Sequence, residues 1–192
     1  MRQRAKALEP EDVRRLCVLV QGHRHPQRDD AIILLSLKAG LRACEVAGLR
    51  WSMVLNSSHK IGTQLSICGG IAKGGSSRTI PLHVDLGTAL RRLRRQQGQP
   101  RDGPVIVSER GSHMTARSIV NWFHDAYHEL GLVGCSSHSG RRTFITGAAR
   151  LLAKTGGSLR DVQELAGHRS LTTTERYIQG DRAAQRKLIA RL

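Results

Sequence analysis

Residues 31–39 constrain the fold more than any other part of the sequence. The run Ala-Ile-Ile-Leu-Leu-Ser-Leu within them would form a helix that is apolar nearly all round. Such a helix exposes apolar surface wherever it is not covered, so we expect it at the centre of the domain. Gly40 follows directly and suits the C-terminal cap of this helix.

Helical patterns account for most of the remaining chain. The segment Glu9-Pro10-Glu11-Asp12 predicts a helix start, because proline suits the first turn and acids suit the positive end of the helix dipole. Ser158 with Asp161 has the capping-box pattern, and Ser170 is placed to cap the next helix. Further helices are predicted at 86–96, 115–130, 139–153, 158–166, 171–178 and 182–192.

Residues 51–82 have a different pattern, in which short β-prone runs are broken by Asn, Gly and Ser. The runs cover residues 53–55, 64–67 and 78–82 and indicate a small antiparallel sheet. The predicted fold class is therefore α+β, mainly α-helical with one small antiparallel β-sheet. We expect one domain over residues 1–192, with a basic arm at 1–8 and a helical C-terminal tail at 180–192.

The charge balance indicates the kind of partner. Lys and Arg number 31 against 15 Asp and Glu, which gives a formal net charge of +16. A chain this basic attracts polyanions and releases their counterions, so nucleic acid is a natural partner. Ribosomal proteins, chromatin proteins and basic membrane-surface proteins share this balance, so charge alone does not identify the function.

Metal binding, disulfides and export are not indicated by the sequence. Its four cysteines have no two-residue spacing, which fits neither a zinc knuckle nor a disulfide framework: Cys17, Cys44, Cys68 and Cys135. His124 and His128 are spaced as a metal pair would be but lack a third ligand, so we interpret them as helix-face residues. No apolar signal core or membrane span is present, and we expect a cytoplasmic protein.

Two basic fragments have the residue types that bind an anion. His138 and Arg141 lie three residues apart at a predicted helix start, where free backbone N–H groups also face an anion. Arg42 follows the Gly40 helix end, and Glu45 one turn later is placed to hold its guanidinium in a bidentate contact. Taken singly, the first pair is more often a solvated helix face and the second an ordinary surface ion pair.

Three further residues also have ordinary interpretations when each is taken alone. Lys73 lies where the predicted sheet turns, which is typical of a solvated hairpin lysine. His168 follows Gly167 at a helix end, which is typical of a C-cap. Tyr177 is one of only two tyrosines and lies nine positions after His168.

Together these fragments resemble the tyrosine recombinases, also called the phage integrase family. The first arginine lies in Gly-Leu-Arg-Ala-Cys-Glu-Val-Ala-Gly-Leu at 40–49, followed by Trp51, which matches the family's Gly-Leu-Arg-x-x-Glu-x-x-x-Leu pattern. The hairpin at 72–82 is similar to Gly-Lys-Gly-x-x-x-Arg-x-x-Pro-Leu, with Ala72 in place of the first glycine. His-x-x-Arg at 138–141, followed by Thr143-Phe144, and Leu-Ala-Gly-His at 165–168 with Tyr177 complete the resemblance, which covers residues 8–178.

The resemblance implies a role for each residue. Tyr177 is the expected nucleophile, His138 its base, and Lys73 the general acid that protonates the leaving 5′ oxygen. Arg42, Arg141 and His168 are expected to hold the nonbridging oxygens of the scissile phosphate. A phenol has an ordinary pKa of ~10, so it needs a nearby base or a dense cationic field to attack at neutral pH. The arginines take the part that metal ions have in other phosphoryl transfers, so neither a metal nor a cofactor is expected.

The resemblance also implies partners and an assembly. We expect binding to double-stranded DNA, a monomer in free solution, and a homo-oligomer on paired DNA sites, where the C-terminal tail docks on a neighbouring protomer. Larger family members carry a separate helical domain ahead of the catalytic one. The catalytic pattern begins here by Leu8, so no N-terminal core-binding domain is expected.

The leading prediction is a site-specific DNA recombinase or integrase that acts through a 3′-phosphotyrosyl bond. A type IB topoisomerase or a hairpin telomere resolvase would share the site, but the small size and the interval from Leu165 to Tyr177 favour the recombinase. A noncatalytic DNA-binding or regulatory protein that keeps the integrase fold is the alternative from another class. The arginine-rich run 91–95 is interpreted as a solvated helix face that also meets the DNA backbone.

Overall fold

The apolar helix lies at the centre of the fold, as predicted. A computed structural model describes residues 5–72, 75, 77–177 and 189–190. Helix α1 (Pro10–Gln21) is followed by α2 (Pro26–Lys38), in which every residue from 31 to 37 is buried. α2 packs against α1, against α4 (Val84–Gln96) and against α6 (Ser139–Thr155). It begins five residues before the predicted start, because Pro26 is compatible with the first turn of a helix.

The other predicted helices of the described chain are confirmed, and one was missed. They are α5 (Ala116–Glu129), α7 (Leu159–Ala166) and α8 (Leu171–Glu175). The missed helix is the short α3 (Ala43–Gly48), which packs against α5. The capping box of Ser158 and Asp161 is confirmed, whereas Ser170 occupies the N-cap position of α8 without a side-chain cap hydrogen bond. Because α8 ends at Glu175, Tyr177 lies just beyond it rather than within a helix reaching residue 178.

Two strands pair in the predicted antiparallel sheet. They are β1 (Gln64–Ile67) and β2 (Arg78–Pro81), with Leu65 opposite Ile80. The prediction of a strand at 53–55 is wrong, since Trp51–Met53 form a 3-10 helix. The Trp51 side chain is fully buried and donates its ring N–H to Gln97. This anchored side chain lies in the 3-10 turn, where an extended strand was predicted to begin nearby. The α+β class, mainly helical with a small sheet, is confirmed.

The described residues form two apolar clusters. The main one joins α1 to α5 with the sheet, and a smaller one consists of Ile145, Val162 and Ala166 from α6 and α7. Tyr177 packs against the smaller cluster. The smaller cluster therefore places the predicted nucleophile beside α6 and α7.

The two predicted terminal segments are described only in part. Of the basic arm, residues 5–8 run along the protein: the Lys6 N–H donates to the Gly134 carbonyl at 2.9 Å, and the Leu8 N–H donates to Thr143 Oγ1 at 2.8 Å. The tail predicted at 180–192 lies outside the described residues except for Ile189 and Ala190. Across the described ranges, no helix has both the length and the apolar composition needed to cross a membrane.

Candidate active site

Arg42 and Glu45 begin helix α3 together. Arg42 is the N-cap residue, and its backbone N–H donates to Glu45 Oε2 at 2.8 Å, while its Nη1 donates to Oε1 at 3.2 Å. Glu45 is completely buried. The predicted contact between the two residues is therefore present, but the prediction that it is bidentate is wrong, because another guanidinium engages both carboxylate oxygens.

That guanidinium belongs to Arg78 on strand β2. Its Nη1 and Nη2 donate to the two oxygens of Glu45 at 2.8 and 3.0 Å, and its Nε donates to the Leu165 carbonyl at 3.1 Å. Arg78 thus ties the sheet to the start of α3 and to the last turn of α7. Sequence reasoning assigned it no role, although it is the arginine of the hairpin pattern that also contains Lys73.

The buried carboxylate remains ionised because of these donors. Burial by itself raises the pKa of Glu45, but the hydrogen bonds from Arg78 and from the Arg42 backbone outweigh it. The pKa of Glu45 consequently lies below its ordinary value, as expected for a carboxylate that accepts several charge-assisted hydrogen bonds.

Arg141 connects the ends of two helices. Its guanidinium, only 3 % exposed as a residue, donates to the carbonyls of Gly40, just past α2, and Ala166, the last residue of α7. Gly40 has the predicted helix-ending conformation with φ +62°, and a Cβ there would lie 2.4 Å from Cδ1 of Phe144. Burial and then the charge of Arg42 lower the pKa of Arg141 to about 10, so it stays protonated at neutral pH.

His168 lies at the end of α7, as predicted, and its ring is held by a residue that sequence reasoning missed. Gly167 adopts φ +61°, and the His168 backbone N–H donates to the Gln163 carbonyl at 3.0 Å. The ring nitrogen Nδ1 lies 3.0 Å from Oγ1 of Thr174 on α8. Burial, followed by the charges of Arg141, Arg42 and Arg78, lowers the pKa of His168 to about 4, so the ring is neutral at physiological pH.

The Tyr177 ring stacks on the His168 ring. Their centroids are 5.6 Å apart with an interplanar angle of 22°, and the guanidinium carbon of Arg142 lies 5.8 Å from the Tyr177 centroid. The candidate nucleophile therefore lies directly beside the imidazole and near an additional arginine. Arg142 follows the predicted Arg141 in sequence, but no spacing rule distinguished it from a solvated side chain.

His138 faces the same cleft as Tyr177. It is the exposed N-cap residue of α6, and the cleft, about 410 Å³ in volume, is lined by Ala5, Ser136, His138, Arg142, Thr173, Arg176 and Tyr177. Four predicted site residues, Arg42, Arg141, His168 and Tyr177, are thus close enough to interact electrostatically or by ring stacking. Lys73, the predicted general acid, lies outside the described residues.

The chemistry of the site is that of fixed cations and donors around a phenol. Within the described part of the chain, no group of three or more His, Cys, Asp or Glu side chains is arranged to hold a metal ion. His124 and His128 stack on the exposed face of α5 with centroids 6.3 Å apart, which confirms their interpretation as helix-face residues. We call the group formed by Arg42, Glu45, Arg78, Arg141 and His168 the inner site, and it offers guanidinium and imidazole groups to an anion.

Known proteins are similar to this chain in sequence and in fold. The chain is 32% identical over 152 residues to tyrosine recombinase XerC of Pelobacter propionicus, covering 78% of this chain and 47% of that protein. With XerC of Pseudomonas entomophila it is 34% identical over 164 residues, covering 81% of this chain and 49% of the relative. The chain therefore spans about half the length of these curated relatives.

Solved structures match nearly the whole chain. XerA recombinase superposes with a TM-score of 0.75 at 20% identity, covering 98% of this chain and 65% of that structure. The Tn1549 transposon integrase in complex with transposon right end DNA superposes with a TM-score of 0.74 at 21% identity, covering 97% and 65%. At this level of identity the likeness concerns the fold.

The family model agrees with the motifs on which the site was built. The model of the phage integrase family matches residues 6–183, which include every candidate residue from Arg42 to Tyr177. Because the match covers most of the chain and the structure brings the motif residues together, this chain belongs to the phage integrase family.

Proposed function

We propose that this chain carries the catalytic site of a site-specific DNA recombinase, which cuts and rejoins DNA strands through a 3′-phosphotyrosyl intermediate. The observation that carries the proposal is the meeting of two buried guanidinium groups, Arg78 and Arg141, and a half-buried one, Arg42, with a neutral imidazole beside the phenol of Tyr177. A phosphodiester has the charge and the oxygen acceptors that such a group of donors binds.

The proposed reaction exchanges one phosphodiester bond for a phosphotyrosyl bond, so the energy of the bond is retained. The Tyr177 phenol oxygen attacks the scissile phosphorus, and its proton passes to His138, which shares the cleft. The bond from phosphorus to the 5′ oxygen breaks, and the leaving oxygen takes a proton from Lys73. The products are a 3′-phosphotyrosyl bond and a free 5′ hydroxyl. A 5′ hydroxyl from a second strand reverses these steps and rejoins the DNA without an external energy source.

The donors of the site would act mainly in the transition state. Arg42, Arg141 and His168 are assigned to the nonbridging oxygens, whose negative charge grows as phosphorus becomes pentavalent. Arg141 is fixed in advance by two helix-end carbonyls, and Arg42 by Glu45, so little rearrangement is needed during the reaction. Removal of one such preorganised donor typically costs ~3 to 4 kcal/mol of transition-state stabilisation.

Double-stranded DNA is the proposed partner. The net charge of +16 supports it, and so does the Tn1549 integrase, whose structure was solved with transposon DNA. A monomer in solution that assembles on paired sites through the 180–192 tail stays a prediction, as does location in the cytoplasm, where the genome lies.

A nicked DNA substrate tests the proposal directly. Cleavage next to a nick releases a short strand that cannot be rejoined, so the protein accumulates as a covalent adduct that migrates slowly in a denaturing gel. We expect this adduct with the wild-type chain and none with Tyr177→Phe, which should bind DNA with nearly unchanged affinity because only a hydroxyl is lost. Adduct formation by Tyr177→Phe would refute the assignment of the nucleophile. DNA binding without any wild-type adduct would favour the noncatalytic alternative.

A further inference from the structure

The hydrogen bond between His168 and Thr174 bears on which ring nitrogen of His168 carries the proton, whereas the charges of the site bear only on how many protons the ring carries. A neutral imidazole has one N–H, and only that nitrogen can donate to a phosphate oxygen. The ring can therefore serve as a donor in one of its two neutral tautomers and presents a lone pair in the other. What decides between them is the partner of the other nitrogen.

Thr174 is that partner, and it is completely buried. Its Oγ1 lies 3.0 Å from Nδ1 of His168. Two threonines of helix α6 donate their hydroxyl to a carbonyl one helical turn earlier: Thr143 to Ser139 at 2.9 Å and Thr155 to Leu151 at 3.1 Å. Among the residues that the structure describes, the Thr174 hydroxyl has no acceptor except the His168 ring.

This arrangement favours one direction of the hydrogen bond. If Nδ1 carried the proton and donated to Thr174, the hydroxyl hydrogen would be buried without an acceptor, which typically costs ~1 to 3 kcal/mol. If the hydroxyl donates to Nδ1, both groups are satisfied and the ring proton lies on Nε2. His168 keeps 8% of its surface exposed, and within the described part of the chain its Nε2 is not among the fully buried unpaired polar atoms.

We infer that Thr174 is a positioning residue: its hydroxyl donates to Nδ1 of His168 and fixes the tautomer whose Nε2–H donates to a nonbridging phosphate oxygen. This inference rests on the proposed function for the identity of the anion. Three cations around the ring, Arg42, Arg78 and Arg141, disfavour a second ring proton. The protein thereby obtains a neutral donor next to charged ones, and the Thr174 hydroxyl determines which nitrogen donates.

Imidazole ¹⁵N NMR spectra of the free protein test the tautomer without any reaction. We expect the His168 resonances of the wild type to show a protonated Nε2 and an unprotonated Nδ1 at neutral pH. Thr174→Val keeps the shape of the side chain but removes the hydroxyl, and should give a mixture of the two tautomers. Thr174→Ser should retain the wild-type spectrum. A protonated Nδ1 in the wild type, or an unchanged tautomer in Thr174→Val, would overturn the inference.

The rate of covalent adduct formation then tests the consequence for catalysis. We expect Thr174→Val to slow single-turnover cleavage about tenfold, less than the 10² to 10³ loss typical of deleting a donor outright, because the ring remains. Thr172→Val, the same change at an exposed position of α8, should leave the rate unchanged. In a His168→Ala background, Thr174→Val should have no further effect, since it acts through the ring. An additional loss in that background, or a wild-type rate in Thr174→Val, would exclude a positioning role. If the wild type formed no adduct, the proposed function would fail while the spectra still decided the tautomer.

Discussion

Replacement of Arg78 by methionine should destabilise the fold, since it leaves Glu45 buried with too few donors. Glu45 would lose two hydrogen bonds, of 2.8 and 3.0 Å, and the Leu165 carbonyl would lose the one at 3.1 Å. Removal of one partner of a buried ion pair generally costs about 3 to 5 kcal/mol of unfolding free energy. Arg42 still donates to Glu45 through its backbone and through Nη1, so we expect about 3 kcal/mol, at the lower end of this range.

Urea unfolding followed by circular dichroism measures this loss, provided that the slope of unfolding free energy against urea concentration is the same for both proteins. Arg160→Met is the matched control: Arg160 on α7 pairs with Glu164 at 3.0 Å, but the two side chains are 73% and 66% exposed. Such an exposed pair contributes about 0.5 kcal/mol or less. A second substitution, Glu45→Gln, should recover part of the loss in the Arg78→Met protein, because the uncompensated charge is gone. If Arg78→Met were as mild as Arg160→Met, the bridge would have no structural role.

Two further outcomes follow from the geometry of the site. Arg42→Ala should slow single-turnover cleavage by about 10²-fold or more while changing DNA affinity far less, because the contact of Arg42 strengthens in the transition state. Cleavage at the wild-type rate would make Arg42 an ordinary ion-pair residue. The unfolding free energy should fall as the pH is lowered from 6.5 to about 4. In this window His168 takes up a proton in the unfolded chain but not in the folded protein, where its pKa is lowered to about 4. The His168 contribution is on the order of 3 kcal/mol, since each unit of pKa difference is worth ~1.36 kcal/mol. A pH titration of urea stability in wild type and His168→Gln measures it.

The helices and the strand pair were predictable because their signals are local. The apolar run at 31–37 requires burial, and proline and capping residues set helix starts at Pro10 and Leu159. The prediction of a strand at 53–55 is wrong because burial of the neighbouring Trp51 side chain determines the backbone conformation of this short β-prone run. Tertiary contacts override local β propensity in this way.

Two supporting residues of the site, Arg78 and Thr174, could not be predicted from local patterns. Arg78 reaches Glu45 across 33 positions of sequence, and its other acceptor, Leu165, is 87 positions away. Thr174 lies six positions from His168, but only the turn between α7 and α8 brings the hydroxyl to the ring. Motif patterns identified the groups assigned to the phosphate and also Glu45 beside Arg42, whereas the roles of Arg78 and Thr174 emerge only when the chain is folded.

The charges around the inner site fit a developing anion better than a resting one. Arg42, Arg78 and Arg141 contribute three positive charges, and Glu45 offsets one of them, which leaves two. In the proposed reaction, the bound phosphodiester carries one negative charge and its pentavalent transition state carries two. The net charge of these four side chains is therefore matched by the pentavalent transition state rather than by the ground state, and an interaction that is stronger in the transition state is what accelerates a reaction. A protonated His168 would add a third positive charge and strengthen binding of the ground state as well. By keeping His168 neutral, the surrounding arginines preserve this match, and the imidazole contributes an oriented N–H in place of further charge.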